Sequence, residues 1–206
     1  MQILHIDSVD PAFGAPDVLT GLLALASRVA AMGLLRGAPI KRLDDAAVKR
    51  VLDALQSGGM LGTRRIAYSN TMQSEDTRPD AIRQLIALLD ESPVPRTEWP
   101  AMKAVFGEDG LADLLRTSSS SVKRYLAGER DTPAEIAERL HWLALVVAEL
   151  AGSYNEIGMR RWFERTRAQL NGRSPRGVLG PDWHPSDPSA KRVRSLAANL
   201  ASAGAT

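Results

Sequence analysis

Residues 111–130, LADLLRTSSSSVKRYLAGER, constrain the fold of this chain more than any other stretch of it. Leu111, Leu114 and Leu115 supply one apolar helix side, and after a short interval Val122 and Tyr125 begin a second one at helical spacing. Residue 118 is a serine, which favours a helix N-cap, and residue 128 is a glycine, which favours a helix end. The segment therefore predicts a helix, a tight turn and a second helix.

The other side of the second predicted helix carries only hydroxyl groups and cations. Its members fall at i, i+3 and i+4 spacing, and no acidic residue lies among them: Ser119, Ser120, Lys123 and Arg124. A short helix with such a face is suited to phosphates and base edges in the major groove of DNA. We predict these four residues as DNA contacts, and the alternative is a helical hairpin inside an ordinary bundle.

Composition favours an all-α protein. The chain has 206 residues, which suggests one large or two small domains, and only 5% of them are aromatic. Few aromatics together with much Ala, Leu and Arg favour helices over a β-sandwich or barrel. Net charge is +2, but from residue 110 onward there are 14 Lys and Arg against 10 Asp and Glu. This basic half suits nucleic acid, or simply a solvated arginine-rich face.

Several classes of function lack their usual residues in this sequence. There is no cysteine, which excludes disulfides, thiolate catalysis and cysteine-based metal sites. His5, His141 and His184 are far apart and show no metal-ligand spacing, and no phosphate-binding loop or nucleophile elbow is present. We therefore predict no enzyme, no metal and no cofactor.

The N-terminus lacks the basic start and apolar core of a signal peptide. The most apolar run, residues 18–35, is interrupted by Thr20, Ser27, Arg28 and two glycines, too often for a membrane span. We expect a soluble cytoplasmic protein without a membrane partner.

Residues 1–92 are predicted as a helical N-terminal region of unknown role that follows an irregular start over residues 1–16. Asp17 is expected to cap a helix running to about Leu35, and Asp44 to cap the next one. Residues 60–77 are the least periodic: Arg65–Tyr68 could form a short strand, followed by a polar loop. A third helix begins after Thr77. The sequence SPVP at residues 92–95 is the candidate domain boundary.

After the boundary we predict a DNA-binding domain over residues 97–131 and a second helical domain over residues 132–200, with a disordered tail at 201–206. Thr97 should cap a helix over Glu98–Phe106, and Thr132 should open a capping box before a long helix to Leu150. The apolar residues of that long helix repeat as in a heptad seam, which suits either the core of its own domain or a dimer interface. Asn155 is expected to cap a helix to about Arg167.

Residues 156–179, EIGMRRWFERTRAQLNGRSPRGVL, resemble the toxin-binding domain of Xre/MbcA/ParS-type antitoxins. That family has a Trp followed by an apolar residue, then L-x-G-x-[ST]-P, then two apolar residues. The matching residues occur in order and without insertion: Trp162, Phe163, Leu170, Gly172, Ser174, Pro175, Val178 and Leu179. An Xre-like helix-turn-helix lies immediately upstream in the family, as residues 111–126 do here. Arg116 and Thr117 stand where that motif usually has a glycine and an apolar residue.

The resemblance covers about half of the chain, residues 99–200, and implies an antitoxin. Such proteins bind a RES-domain toxin, which consumes NAD, and repress their own operon through the helix-turn-helix, typically as a homodimer or a toxin-bound hetero-oligomer. Exposed Trp and Arg side chains are usual interface anchors. We accordingly predict these toxin contacts: Arg160, Arg161, Arg165, Arg167, Arg173 and Trp183. Trp162 and Phe163 are expected in the core instead, because large aromatics at helical positions are usually buried.

Two other functions fit the same residues. The chain could be a stand-alone helix-turn-helix regulator whose N-terminal region mediates oligomerisation or senses a ligand. It could also be a helical adaptor that does not bind DNA, in which case no specific site would be found at physiological salt.

Overall fold

The computed structural model describes residues 6–203, with the backbone alone described at 65–66 and 201–203. Helices make up most of this range, and the only strands within it are two short ones, which confirms the predicted all-α fold. The chain divides into two compact units, the first ending at Ser92 and the second beginning at Pro93. This division lies within the predicted boundary.

The first unit is a four-helix arrangement with a minimal sheet. Its helices are α1 (Pro16–Ala31), α2 (Asp45–Ser57), α3 (Arg65–Gln73) and α4 (Arg78–Asp90). Strands β1 (Ser8–Val9) and β2 (Arg42–Leu43) pair in parallel. Helix α1 packs along α4, and α3 contacts both α2 and α4. The apolar stripes of α1, α2 and α4 therefore share one core, as helical periodicity predicted.

Two arginines are buried among the described side chains of the first unit, and both have partners. Arg28 Nε of α1 lies 2.8 Å from Asp90 Oδ1 of α4. Arg78 donates to the carbonyl oxygens of Met72, at 2.7 Å, and Ala12, at 2.5 Å. A buried charge is tolerated only when it is paired or hydrogen-bonded. These contacts therefore allow both arginine side chains to be buried in the core of the unit.

The structure corrects three local predictions in the first unit. Residues 65–68 are not a strand, because they begin α3. This helix has no clear apolar stripe, so its sequence does not indicate a helix. Its packing against α2 and α4 stabilises it instead. Helix α1 ends at Ala31 rather than near Leu35, and it is preceded by Ala15 rather than capped by Asp17. Residues 8–13, predicted irregular, contain β1 and a short 3₁₀ turn; residues 1–5 lie outside the described part.

The second unit is built around one buried helix. Its elements are α5 (Pro95–Leu115), α6 (Ser119–Ala127), α7 (Ala134–Leu150), α8 (Glu156–Glu164), α9 (Pro175–Val178) and α10 (Pro188–Ala203). Every residue from 139 to 148 in α7 is buried, and α7 packs against both α5 and α10. Of the two packing partners considered for the heptad-like residues, the core of their own unit is the one observed. The predicted division between residues 131 and 132 is wrong, because α5 and α7 share this core.

Three helix ends in the second unit differ from prediction. Helix α5 begins at Pro95 rather than after Thr97, and it is broken at Gly107, as expected, by a backbone with φ of 71°. Thr132 does not cap α7, because its Oγ1 accepts a hydrogen bond from Trp99 Nε1 at 2.9 Å. Helix α8 ends at Glu164, short of Arg167.

The predicted disordered tail is wrong over residues 201–203. These residues continue helix α10, which ends at Ala203. Residues 204–206 lie outside the described part of the chain.

A buried acid–base pair joins α5 to α7. Glu98 is 0% exposed, and its Oε1 lies 2.6 Å from Nδ1 of His141, while its other oxygen accepts from the Val94 backbone N–H at 3.2 Å. Burial raises the pKa of the Glu98 carboxyl group, and the contacts with His141 and Val94 oppose this effect. The pair places an ionisable group at the centre of the second unit.

Candidate functional site

The predicted helix, turn and second helix are confirmed at residues 111–128. Helix α5 ends at Leu115 and is followed by Arg116, and Ser118 caps α6 by accepting a hydrogen bond from the Ser121 backbone N–H at 3.1 Å. Helix α6 ends at Gly128, whose φ is 70°. The segment thus consists of two helices joined by a short turn, with α6 as the second helix.

Arg116 adopts the left-handed conformation in the turn, with φ of 55°. Glycine is the residue that tolerates a positive φ best. The Arg116 side chain has its own partners: it donates to the carbonyl oxygens of Leu179, at 2.8 Å, and Gly180, at 3.2 Å. Arg116 therefore adopts a backbone conformation that favours glycine, and its side chain contacts the segment after α9.

Substitution of Arg116 should separate the cost of its left-handed backbone from the contribution of its side-chain hydrogen bonds. Both Arg116→Ala and Arg116→Gly lose the contacts to Leu179 and Gly180, but only glycine relieves the left-handed backbone, which costs other residues roughly 1–2 kcal/mol. We expect the glycine variant to be the more stable of the two by about 1 kcal/mol, measured by urea unfolding. Equal stabilities would contradict a strained turn.

Helix α6 buries one side and exposes the other. Val122 and Tyr125 are buried, and the Tyr125 ring stacks on Trp99 at a centroid distance of 5.3 Å. Ser120, Lys123 and Arg124, three of the four predicted DNA contacts, are exposed. The Arg124 guanidinium has no hydrogen-bond or ion-pair partner among the described residues. This side chain is therefore free to contact a ligand.

Acidic residues from α5 approach the other predicted contacts. Ser119, which is only partly exposed, donates from Oγ to Asp109 Oδ1 at 2.8 Å, and Lys123 Nζ lies 3.9 Å from Glu108 Oε2. A hydrogen bond from Lys103 lowers the pKa of Glu108, so Glu108 is a carboxylate at neutral pH. Sequence reasoning missed these acids, because they belong to the preceding helix. They restrict Ser119 and Lys123 more than Ser120 and Arg124.

The L-x-G-x-S-P pattern forms a compact turn in which each residue type has a local reason. Leu170 is buried, and Gly172 has φ of 74°, a conformation that favours glycine. Ser174 caps α9 by accepting from the Gly177 backbone N–H at 3.1 Å, and Pro175 occupies the first helical position, where its missing N–H costs nothing. Leu179 is buried after α9. The pattern therefore encodes a defined local structure.

Trp162 and Phe163 are buried as expected, at 1% and 0% exposure. The two rings meet edge to face with centroids 5.2 Å apart, and Phe163 meets Phe106 of α5 in the same way. The aromatic pair thus anchors α8 to α5. Trp162 Nε1 is buried and has no acceptor within the described residues.

The predicted toxin-contact arginines fall into two groups. Arg161, Arg165 and Arg167 together line a pocket of about 230 Å³ beside Trp162. Arg160 and Arg173 lie outside that pocket lining and are also exposed, but both donate to backbone carbonyls: Arg160 to Val105, at 2.6 Å, and Arg173 to Gly177. The structure therefore brings three of the five arginines to one place.

Trp183 is not an exposed contact, and its prediction as a toxin anchor is wrong. The side chain is 2% exposed, its Nε1 donates to the Leu114 carbonyl at 3.0 Å, and its ring lies 4.8 Å from that of Trp142. Its own carbonyl accepts a hydrogen bond from buried Arg139 at 2.7 Å. Trp183 thus closes the core between α5 and α7.

Arg176, which the sequence did not single out, connects three helices of the site. One nitrogen lies 2.9 Å from Asp113 Oδ2 of α5, and another lies 2.7 Å from Glu164 Oε1 of α8. No local pattern distinguishes this arginine from its neighbours, since both partners are distant in sequence or on another helix.

Comparison with protein-family models, with curated proteins and with solved structures gave no match for this chain. Within the described residues, no helix combines the length and apolar content that a membrane span needs. The same part of the chain holds no group of three or more His, Asp or Glu side chains that could bind a metal ion.

Proposed function

We propose that the chain is a cytoplasmic antitoxin that represses its own operon through the helix-turn-helix of α5 and α6 and binds a RES-domain toxin through the region around α8. It acts by binding, as a homodimer or a toxin-bound hetero-oligomer, and it catalyses no reaction of its own. The observation that carries the proposal is the left-handed Arg116 turn between two helices whose apolar sides are buried, with a free arginine on the outer face of α6.

The DNA-binding part rests on what α6 leaves exposed. Ser120 and Arg124 lie on its solvent side, and a guanidinium without an intramolecular partner is suited to a guanine edge or a phosphate. Lys123 supplies a second cation beside them, although Glu108 lies near it. We place Ser120, Lys123 and Arg124 toward the groove, with Ser119 at its margin.

The toxin-binding part rests on the resemblance at residues 162–179, together with the surface that this region presents. Arg160, Arg161, Arg165 and Arg173 are exposed, and Arg167 is partly so. Arginine is enriched among residues that dominate protein interfaces, because its planar fork binds carboxylates in two places. The region is thus suited to an acidic surface on a partner.

Replacing Arg124 with alanine tests the DNA-binding part. If the guanidinium contacts a guanine, the binding free energy for the operator should weaken by about 1–3 kcal/mol, and the preference for guanine over other bases at that one position should decrease. If it contacts only a phosphate, affinity should fall evenly across sequences and the salt dependence should weaken. Fluorescence anisotropy with operator DNA at several salt concentrations measures both. Arg192→Ala, at an exposed position of α10, is the matched control. Unchanged operator affinity in Arg124→Ala would remove Arg124 from the DNA site.

A stand-alone regulator is the second candidate, and one feature of the first unit favours it. A cleft of about 600 Å³, lined by residues that include Asp45, Lys49, Glu75 and Arg78, could hold a small polar ligand. Co-expression with the product of the adjacent reading frame separates the two functions. An antitoxin co-purifies with that product and suppresses its toxicity. A stand-alone regulator binds its operator specifically and does not co-purify with the product of the adjacent reading frame.

A further inference from the structure

The pocket beside Trp162 is lined by donors and contains no acidic residue. It lies between the start of α8 and the turn that follows this helix, has a volume of about 230 Å³, and is lined by Tyr154, Gly158, Arg161, Trp162, Arg165 and Arg167. None of the three arginines has an ion-pair partner among the described residues. The acid next to Arg165 in sequence, Glu164, is paired with Arg176 at 2.7 Å. The pocket therefore gathers three uncompensated positive charges.

Two buried donors in the pocket lining have no acceptor. Trp162 is 1% exposed, yet neither its Nε1 nor the Nε of Arg167 has a hydrogen-bond partner within the described residues. The Arg167 guanidinium lies over the Trp162 ring, 4.8 Å from its centroid. Buried polar groups in native proteins nearly always have partners, so such a pair indicates a missing acceptor.

The wall of the pocket is held in place by close packing. Gly158 lies under Tyr154, and a Cβ at that position would come within 2.9 Å of Tyr154 Cδ1. The Gly158 backbone N–H is itself bound by the Asn155 side chain at 2.9 Å. Any side chain larger than hydrogen at residue 158 would therefore displace the tyrosine ring.

We propose that this pocket binds a phosphate group carried by a small molecule. A phosphate monoester has close to two negative charges at neutral pH and three terminal oxygens that accept hydrogen bonds. It matches three guanidinium groups and the indole N–H of Trp162 better than a carboxylate, which has one charge and two oxygens. These three arginines are also predicted toxin contacts, but the inference rests on the charge and the unpaired donors of the pocket and does not require the proposed function.

Ribose 5-phosphate, inorganic phosphate and acetate are the probes, each titrated at constant ionic strength by calorimetry and by NMR of the tryptophan indole N–H resonances. Ribose 5-phosphate should bind with a 1:1 stoichiometry and shift one indole resonance, the one that disappears in Trp162→Phe. Arg161→Gln combined with Arg165→Gln should weaken binding by about tenfold or more, since two charge-assisted contacts are lost. Arg192→Gln on α10 removes an exposed charge elsewhere and should leave binding unchanged.

Each other outcome contradicts the proposal. If neither ribose 5-phosphate nor inorganic phosphate binds, the pocket is not a phosphate site. The same conclusion follows if the double variant binds ribose 5-phosphate as tightly as the parent protein does. Acetate binding as tightly as ribose 5-phosphate, with the same indole shift, would make it a carboxylate site. A shift of the Trp162 indole by duplex DNA alone would assign the arginines to nucleic acid. Circular dichroism of each variant verifies that the helices are retained.

Discussion

Replacing Trp183 with alanine is expected to lower the free energy of unfolding by about 3–5 kcal/mol, the usual loss when a large buried aromatic is truncated. The ring fills the space beside Trp142, and its Nε1 satisfies the Leu114 carbonyl at 3.0 Å. Alanine would leave both a cavity and an unpaired buried acceptor. Urea unfolding followed by circular dichroism measures the change, which should appear as a lower midpoint.

Trp183→Phe is the matched control for this substitution. Phenylalanine retains most of the apolar volume and loses only the hydrogen bond to Leu114, so it should be less destabilising than alanine. If Trp183→Ala instead unfolded like the parent protein and lost only partner binding, the tryptophan would be a surface anchor after all. The pair of variants therefore decides between core and interface.

Replacing Glu98 with alanine should cost about 3–5 kcal/mol of stability, because removing one member of a buried pair takes a close polar contact away from the other. His141 Nδ1 and the Val94 backbone N–H would both lose the acceptor that now lies within 2.6 and 3.2 Å. Urea unfolding at neutral pH measures the loss. A variant as stable as the parent would show that the pair contributes nothing at the centre of the second unit.

The stability of the protein should also depend on pH through Glu98. Burial raises the folded-state pKa of this carboxyl group above its ordinary value of 4.5, so the folded chain keeps the proton to higher pH than the unfolded chain. Its contribution to stability is therefore complete below the ordinary pKa and is lost as pH rises through the raised one. Glu98→Gln cannot ionise, and we expect the difference in unfolding free energy between parent and variant to change over that range. A constant difference from pH 4.5 upward would contradict a raised pKa.

Helix starts set by neighbouring residues could be predicted from the sequence. Asp44, Ser118 and Asn155 cap α2, α6 and α8 through bonds to a backbone N–H three residues away. Thr132 looked equally suitable, but its hydroxyl is taken by Trp99, 33 residues earlier. Local spacing contains no information about such a partner, and that is where the prediction failed.

In the candidate site, too, features set by neighbouring residues could be predicted, and features set by residues distant in sequence could not. The outer face of α6 followed from spacing, whereas Asp109, which binds Ser119 from the preceding helix, did not. The burial of Trp183 could not be read from its neighbours in sequence, because its partner Leu114 is 69 residues away. The pocket around Trp162 could be anticipated only as a cluster of arginines. Its two unpaired donors depend on the folded positions of these side chains.

The single side chain of Arg116 joins the turn of the helix-turn-helix to the carbonyl groups of Leu179 and Gly180. A partner that displaced this segment would therefore also break the contacts of the Arg116 side chain in the turn. Under the proposed function, DNA binding at α6 and partner binding at this segment would share a coupling free energy, and such a coupling is reciprocal: each ligand would change the affinity for the other by the same factor. An operon controlled by such a protein would respond to the ratio of partner to repressor as well as to the amount of repressor.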